Sequence, residues 1–262
     1  MASFGDVTVD IDANHVALVE VHRPPHNFFS LEMLGGLADA FEAIDAGAVA
    51  RCIVLASEGK NFCGGAQLAR DDPKLTSTSD GHAGERHLYD ETVRLFSART
   101  PVVAAVQGAA VGGGLGLACM ADFRIGGPGS RFSANFARLG FHQGFGLSAS
   151  LPAIVGNQAA LELLYTGRRI NGEQARAIGL IDGLVADGDI RAEATALATE
   201  IAGSAPLAVR SIRETMRGHL PAAIKAATDR ERAEQERLAG TADWAEGVRA
   251  MADRRQPNFT GT

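Results

Sequence analysis

Glycines are the residues whose spacing in this chain most directly suggests chemistry. Four of the five residues from Gly112 to Gly116 are glycine, and they follow a short apolar run from Val102 to Val106. Free N–H groups at the start of a helix point outward with the positive end of the helix dipole. A strand, a glycine turn and a helix N-terminus can therefore hold an anion or a developing oxyanion. A tight turn that only packs a helix closely on a sheet would need the same glycines.

A second glycine turn, at Gly64 and Gly65, follows another buried-strand pattern from Arg51 to Ala56. Two backbone N–H donors that converge from separate turns are what a thioester oxygen requires when it becomes an enolate. The chain has no phosphate-binding Gly-x-x-x-x-Gly-Lys-Ser/Thr loop and no Gly-x-Ser-x-Gly elbow. The dinucleotide-binding fingerprint also fails, because Leu117 and Cys119 stand where it needs small residues.

Composition limits the class of protein. Hydrophobic residues make up 46% of the 262 residues and charged residues 21%, which is typical of a globular domain. The net charge of -6 argues against a nucleic-acid-binding surface, and the composition is too polar for a membrane-embedded chain. Three cysteines without metal-ligand spacing are expected to be reduced and buried. The first residues show neither a basic start nor an apolar stretch, so we expect a cytoplasmic location.

Alternating strand and helix patterns must position the two turns. Residues 7–12 and 15–22 alternate as a hairpin would, and a helix is predicted from the N-cap Ser30 to Gly47. Polar residues 70–85 predict a surface loop or lid. The pattern as a whole predicts an α/β core followed by an α-helical C-terminal part. Further helices are predicted at residues 85–98, 147–166, 189–203, 206–217, 221–240 and 243–254. Asn171 and Gln174 predict a capping box for one more helix, which ends near Gly179. The helix at 221–240 is charged and amphipathic, and we expect it to present a solvated or subunit-facing surface.

Several short motifs follow one another along the chain. They are Arg23-Pro-Pro-His-Asn27, Phe62-Cys-Gly-Gly-Ala66, the triple glycine with Asp122 after it, Phe132-Ser133, Tyr165-Thr-Gly-Arg168, Ala175 to Leu180, and Pro257-Asn-Phe259. In this order they resemble the enoyl-CoA hydratase/isomerase (crotonase) superfamily over almost the whole chain. The resemblance implies a crotonase-like spiral of ββα turns over residues 1–200 and a helical trimerisation region over residues 201–262. It further implies an acyl-CoA thioester substrate, no cofactor beyond that coenzyme A, no metal, no nucleic-acid or membrane partner, and a homotrimer or a dimer of trimers.

The resemblance also implies roles for individual residues. The two backbone N–H groups of an oxyanion hole would be those of Gly64 and Gly113. The loops expected to cradle the adenine and pantetheine of coenzyme A contain His26, Phe28, Gly65, Ala66, Gln67 and Leu68. The acyl pocket would contain Gly116, Phe136, Leu139 and Phe145, and Phe259 would reach the nucleotide end of coenzyme A. Arg254 and Arg255, beside Phe259, either reach the same nucleotide or form an exposed surface.

Two positions depart from the family pattern. Hydratases of this family use two glutamates to place and deprotonate a water, and the corresponding positions here are Gly116 and Phe136. Neither residue can accept a proton, and general acid–base catalysis typically contributes ~10²–10⁴-fold. Standard hydration is therefore not expected, although an oxyanion hole alone would still bind and polarise a thioester. Phe136 and Phe145 predict a dry, aromatic acyl pocket.

Other side chains could act as the acid or base. His142, in the segment Gly140-Phe-His-Gln-Gly144, either serves this role or is a hydrogen-bonded structural histidine. His87 and Glu91 either approach the acyl group or belong to a solvated helix face. Cys63, next to Gly64, is expected to be a packed residue and not a nucleophile.

Three functions remain open at this point. The first is an acyl-CoA enzyme of the hydratase/isomerase type that stabilises a thioester enolate, through isomerisation, decarboxylation or another reaction. The alternative is a non-catalytic acyl-CoA-binding protein or partner subunit that kept the pocket and lost the carboxylates. A nucleotide-binding oxidoreductase is the third, and the failed dinucleotide fingerprint argues against it.

Overall fold

The computed structural model of the chain describes residues 1–66 and 87–262. Its strands are β1 (Ala2–Phe4), β2 (Val7–Ile11), β3 (Val16–Val21), β4 (Cys52–Ser57), β5 (Val102–Val106), β6 (Ala109–Val111), β7 (Phe123–Gly126), β8 (Arg131–Ser133), β9 (Arg169–Asn171) and β10 (Gly183–Leu184). Its helices are α1 (Leu31–Gly47), α2 (Leu88–Phe96), α3 (Gly113–Met120), α4 (Leu147–Val155), α5 (Asn157–Thr166), α6 (Gly172–Ala177), α7 (Ile190–Ala202), α8 (Pro206–Arg217), α9 (Leu220–Leu238) and α10 (Ala242–Ala252), with a 3-10 turn at Asn135–Leu139. The predicted α/β class with a helical C-terminal part is confirmed.

The main sheet has the strand order β1-β2-β3-β4-β5-β7-β10 within the described ranges. β2 and β3 pair antiparallel, as the alternating residues predicted. From β3 onward the neighbouring strands run parallel. A smaller sheet of order β6-β8-β9 carries the glycine turn at the end of β6. The predicted lid at residues 70–85 lies outside the described residues.

Both faces of the parallel strands are buried. On one face Val19, Leu55 and Ala104 belong to the larger core, which includes the apolar side of α1. On the other face Val54 and Val103 pack against α7. Apolar side chains on both faces explain why these strands read as continuous apolar runs. The division of the chain near residue 200 stays a prediction.

Capping residues set several helix boundaries as the sequence predicted. The Ser30 hydroxyl accepts a hydrogen bond from the Met33 N–H (3.3 Å) at the start of α1. Asn171 and Gln174 form the predicted capping box of α6. The single helix predicted at residues 147–166 is wrong, because Gly156, with a φ of 77°, ends α4 and precedes α5.

The charged helix predicted at residues 221–240 is α9, and one of its faces is buried against α2 and α4. That face carries Ile224, Thr228, Glu231 and Gln235. The expectation of a solvated or subunit-facing surface is therefore wrong for Glu231 and Gln235, which belong to the charged stretch and are buried. Within residues 1–66 and 87–262, no helix combines the length and the apolar character that a bilayer crossing requires.

Candidate active site

The two glycine turns predicted from the sequence lie side by side. The segment that leads to Ala66 runs along β6, because the Cys63 N–H donates to the Ala109 carbonyl (2.9 Å) and the Val111 N–H donates to the Cys63 carbonyl (3.1 Å). Shortly after β6, α3 begins at Gly113. The N-terminus of α3 therefore stands beside the first glycine turn.

Glycines are required where the two turns touch. A Cβ at Gly114 would lie 2.1 Å from the Cys63 carbonyl oxygen, and one at Gly113 would lie 2.5 Å from the Phe29 ring. Side chains cannot be accommodated at such distances, so the backbone of Cys63 explains the glycine at 114 and the Phe29 ring explains the glycine at 113. A Cβ at Gly65 would lie 3.6 Å from the backbone nitrogen of Gly113, which makes these two backbone segments direct neighbours.

The peptide group between Gly65 and Ala66 directs its N–H towards α3. The Gly65 carbonyl accepts a hydrogen bond from the Phe29 N–H (3.0 Å). In a trans peptide the N–H points opposite to the carbonyl, so the Ala66 N–H points away from Phe29 and to the side where Gly113 lies. Gly113 is the first residue of α3, and its N–H has no acceptor within the helix. In the part of the chain that the structure describes, neither N–H has a hydrogen-bond acceptor.

The structure contradicts the role predicted for Gly64. Its N–H donates to the His26 carbonyl (2.8 Å) and so points away from α3. An N–H committed to that carbonyl cannot also meet an acyl oxygen beside Gly113. The donor that the first turn offers is the N–H of Ala66, a residue that the resemblance placed only among the binding residues.

A cavity of about 380 Å³ borders these N–H groups. Of the residues predicted for the site, it is lined by Phe28, Gly64, Gly65, Ala66, Gly113, Phe136, Leu139 and Phe145. The other described lining residues are Phe29, Leu88, Tyr89, Val111, Gly112, Asn135, Phe141, Gly144, Gln235, Trp244 and Met251. Its walls are mainly aromatic and aliphatic, as Phe136 and Phe145 led us to expect. The described lining contains no carboxylate and no imidazole.

Gly116 is buried behind this lining. A Cβ at position 116 would lie 2.7 Å from the Cβ of Phe145, so the Phe145 side chain covers Gly116 and takes the space in front of it. The Phe145 ring also packs on Phe29, with 5.5 Å between ring centroids. The prediction that Gly116 itself contacts the acyl group is therefore wrong, and Phe145 forms that wall.

His142 lies outside the cavity although its neighbours Phe141 and Gly144 line it. Its Nδ1 is 2.8 Å from the Gln143 carbonyl, and its own carbonyl accepts a hydrogen bond from Gln235 Nε2 (3.0 Å). Of the two roles left open for His142, the structure favours the hydrogen-bonded structural histidine.

Two described residues that were predicted to hold coenzyme A, His26 and Phe259, do not line the cavity. The His26 side chain is exposed, with its ring 5.1 Å from that of Phe28. Phe259 is 40% exposed near the C-terminus and lines no part of the cavity. Gln67 and Leu68 lie outside the described residues. Their roles stay predictions.

A polar pair in the cavity wall was not predicted from the sequence. The Tyr89 hydroxyl donates to Gln235 Oε1 (2.6 Å), and both side chains are buried. Burial raises the pKa of Tyr89 above its usual range, so the phenol keeps its proton. The Tyr89 hydroxyl can donate a hydrogen bond but cannot serve as a base. The sequence could have indicated Tyr89 through its position between His87 and Glu91, which were both considered for acid–base chemistry.

The remaining candidates are structural. His87 and Glu91 are buried, which contradicts the solvated helix face, and neither lines the cavity. His87 caps α2, and a Glu91 carboxylate oxygen accepts from Arg94 Nη1 (2.5 Å).

Burial raises the pKa of the Cys63 thiol to about 12, as expected for a packed residue. Among the described residues, no group of three His, Cys, Asp or Glu side chains could hold a metal ion.

Comparison with known proteins identifies the family of this chain. The protein-family model described as enoyl-CoA hydratase/isomerase matches residues 12–262. Enoyl-CoA hydratase EchA19 of Mycobacterium tuberculosis is 32% identical over 252 residues, covering 94% of this chain and 93% of that protein. For 1,2-epoxyphenylacetyl-CoA isomerase of Escherichia coli the identity is 31% over 250 residues, covering 94% and 95%.

Solved structures give the same result. The crystal structure of enoyl-CoA hydratase/isomerase from Pseudoalteromonas atlantica T6c superposes with a TM-score of 0.86 at 26% identity, covering 97% of this chain and 100% of that chain. An enoyl-CoA hydratase from Mycobacterium avium subsp. paratuberculosis K-10 has the same fold, with a TM-score of 0.82. The chain therefore belongs to the enoyl-CoA hydratase/isomerase family and has its crotonase fold.

Proposed function

We propose that this protein is an acyl-CoA enzyme that stabilises a thioester enolate between the backbone N–H groups of Ala66 and Gly113. The observation that carries this proposal is that Ala66 and Gly113, whose N–H groups have no acceptor among the described residues, both line one apolar cavity. Backbone donors fixed in place before the reaction stabilise the negative charge that develops on the thioester oxygen. Their effect is large in a cavity from which water is excluded.

The lining of the cavity argues against hydration by the usual pair of glutamates. The corresponding positions are Gly116, which lies behind Phe145, and Phe136, which lines the cavity. Among the described lining residues, the one with an ionisable proton is Tyr89, and its phenol stays protonated. An enolate can form without a base in the lining when the acyl group loses a carboxylate, because the electron pair of the broken C–C bond passes to the thioester. It can also form by proton removal by a base outside the described lining.

A second function is favoured by one observation. Phe145 fills the space in front of Gly116, so the cavity is shaped to bind an apolar acyl group where a hydratase would place water. The alternative function is therefore a non-catalytic acyl-CoA-binding protein or partner subunit. Both functions predict thioester binding at Ala66 and Gly113, and they differ in whether the bound ester reacts.

Mass spectrometry in heavy water separates these functions. The purified protein is incubated with a short 2-enoyl-CoA and, separately, with a malonyl-type CoA ester, after binding of each has been measured. Deuterium uptake or loss of carbon dioxide, abolished in Gly113→Val, supports enolate chemistry. Gain of the elements of water contradicts the argument against hydration. Unchanged esters that bind tightly favour the non-catalytic function, and failure to bind any ester contradicts both.

A further inference from the structure

A second cavity, of about 370 Å³, adjoins the first. The two cavities share Val111, Asn135, Leu139 and Met251 in their walls, so they lie next to each other. A ligand held at Gly113 could extend from the aromatic cavity into the second one. The walls of the second cavity have a different chemical character.

Three arginines line the second cavity: Arg138, Arg169 and Arg255. No carboxylate occurs among the described residues of its lining, although the chain as a whole carries a net charge of -6. A concave site lined by positive charges attracts anionic ligands, even in a protein whose net charge is negative.

Strand register places Arg169 near the proposed oxyanion hole. Val111 pairs with Ser133, and Ser133 pairs with Arg169, so the three residues form one row across the small sheet. The Ser133 carbonyl accepts the N–H of Gly112 (2.8 Å), which fixes this row against the glycine turn. Neighbouring strands lie about 4.8 Å apart, so the Arg169 backbone lies on the order of 10 Å from that of Val111.

The three arginines differ in whether a carboxylate already neutralises their charge. Arg255 forms two hydrogen bonds with the Glu246 carboxylate (2.6 and 2.8 Å), which neutralises it. Arg138 donates through Nε to the Thr166 carbonyl (2.8 Å), an uncharged acceptor. Arg169 has no ion pair and no side-chain hydrogen bond within the described part of the chain. A ligand entering this cavity therefore meets the unneutralised charges of Arg169 and Arg138.

We propose that Arg169, assisted by Arg138, binds an anionic group of the thioester ligand in the second cavity. Guanidinium groups bind carboxylates and phosphates through paired hydrogen bonds, and either group could be present on this ligand. One source is a carboxylate at the far end of the acyl group, and the other is the phosphates of coenzyme A. The inference rests on the proposed binding of an acyl-CoA thioester.

Binding measurements with matched ligands and variants test this site. Dissociation constants are measured by calorimetry for adipyl-CoA, for hexanoyl-CoA and for hexanoyl-pantetheine, which lacks the phosphates. The proteins are wild type, Arg169→Gln and the control Arg168→Gln. Arg168 is exposed, as Arg169 is, but it pairs with Glu162 (2.8 Å) and does not line the second cavity. Circular dichroism confirms that each variant is folded.

Loss of a charged hydrogen-bonding partner is expected to weaken binding about tenfold or more. A carboxylate in the second cavity predicts that Arg169→Gln weakens adipyl-CoA and leaves hexanoyl-CoA unchanged. Phosphates there predict that both CoA esters weaken equally while hexanoyl-pantetheine does not. The inference is overturned if Arg169→Gln binds both CoA esters like wild type, or if Arg168→Gln weakens them as much. Wild-type protein that binds no ester at all would overturn the proposed function and, with it, this site.

Discussion

The Cβ of Phe145 lies so close to Gly116 that a Cβ added at Gly116 would stand 2.7 Å from it. Phe145 adopts a φ of 61°, in the left-handed region that residues other than glycine seldom occupy. Such backbone conformations persist where the surrounding structure requires them, and they are concentrated at functional sites. The glycine at position 116 and the aromatic wall are therefore one feature of the site, since a side chain at position 116 and the Phe145 side chain exclude each other.

This exclusion predicts coupling between the two positions. Gly116→Ala is expected to lower the free energy of unfolding by about 1–3 kcal/mol, because the added methyl group overpacks the core. In a Phe145→Gly background, which removes the Cβ as well as the ring, the same change should cost little. Denaturant unfolding of the four proteins of this cycle measures the coupling. Gly47→Ala is the control, since a Cβ there meets nothing within 4 Å; equal effects of Gly116→Ala in both backgrounds would contradict the account.

Removal of the Tyr89 hydroxyl tests the polar pair in the cavity wall. Tyr89→Phe leaves the buried Gln235 Oε1 without its 2.6 Å donor, and we expect a loss of about 1–3 kcal/mol in the free energy of unfolding. The other tyrosine of the chain, Tyr165, is 75% exposed, and Tyr165→Phe should change the stability by less than about 0.5 kcal/mol. Equal stability of the two variants would show that the pair contributes nothing.

The parts of the fold that depend on local sequence were predictable. Ser30 predicts the start of α1, and Asn171 with Gln174 predicts the start of α6, because helix capping needs only residues close in the chain. The run Val102–Val106 indicates a strand buried on both faces because its apolar residues do not alternate with polar ones.

The parts of the site that depend on packing between distant segments were not predictable. The choice between Gly64 and Ala66 rests on which side each N–H faces, and that is set by hydrogen bonds to residues 26 and 29. Gln235 was missed because the buried face of α9 carries Thr228, Glu231 and Gln235, which no apolar periodicity reveals. Burial of Gly116 by Phe145 likewise follows from tertiary packing alone.

Glu231 is predicted to stabilise the start of α4. Its two carboxylate oxygens accept the N–H groups of Gly146 (2.8 Å) and Ser148 (2.9 Å). Glu231→Gln keeps the size but replaces one acceptor by an amide donor, so we expect a loss of about 1–3 kcal/mol in the free energy of unfolding. Glu236→Gln, at an exposed position of the same helix, is the matched control and should change the stability by less than about 0.5 kcal/mol. A Glu231→Gln variant as stable as the control would refute this capping role.

The cysteines are predicted to be unreactive in the folded protein. Burial raises the pKa of the Cys63 thiol to about 12 and that of Cys119 to about 11, so the reactive thiolate is almost absent at pH 8. Iodoacetamide at this pH should leave the native protein unmodified and should alkylate all three cysteines in denaturant, as mass spectrometry would show. Alkylation of Cys63 in the native protein would mean that the thiol beside the proposed oxyanion hole is accessible and ionised.

The central claim is that a thioester oxygen lies between the N–H groups of Ala66 and Gly113. Infrared difference spectroscopy of a bound CoA ester with a ¹³C-labelled thioester carbonyl measures this polarisation directly, whether or not the ester reacts. We predict that the carbonyl stretch shifts to lower wavenumber on binding. Replacement of the Ala66 peptide N–H by an ester oxygen should reduce the shift, whereas the same replacement at Gly64, whose N–H is bound to His26, should preserve it. An ester that binds without a shift, or a shift that is lost at Gly64 and kept at Ala66, would contradict the account.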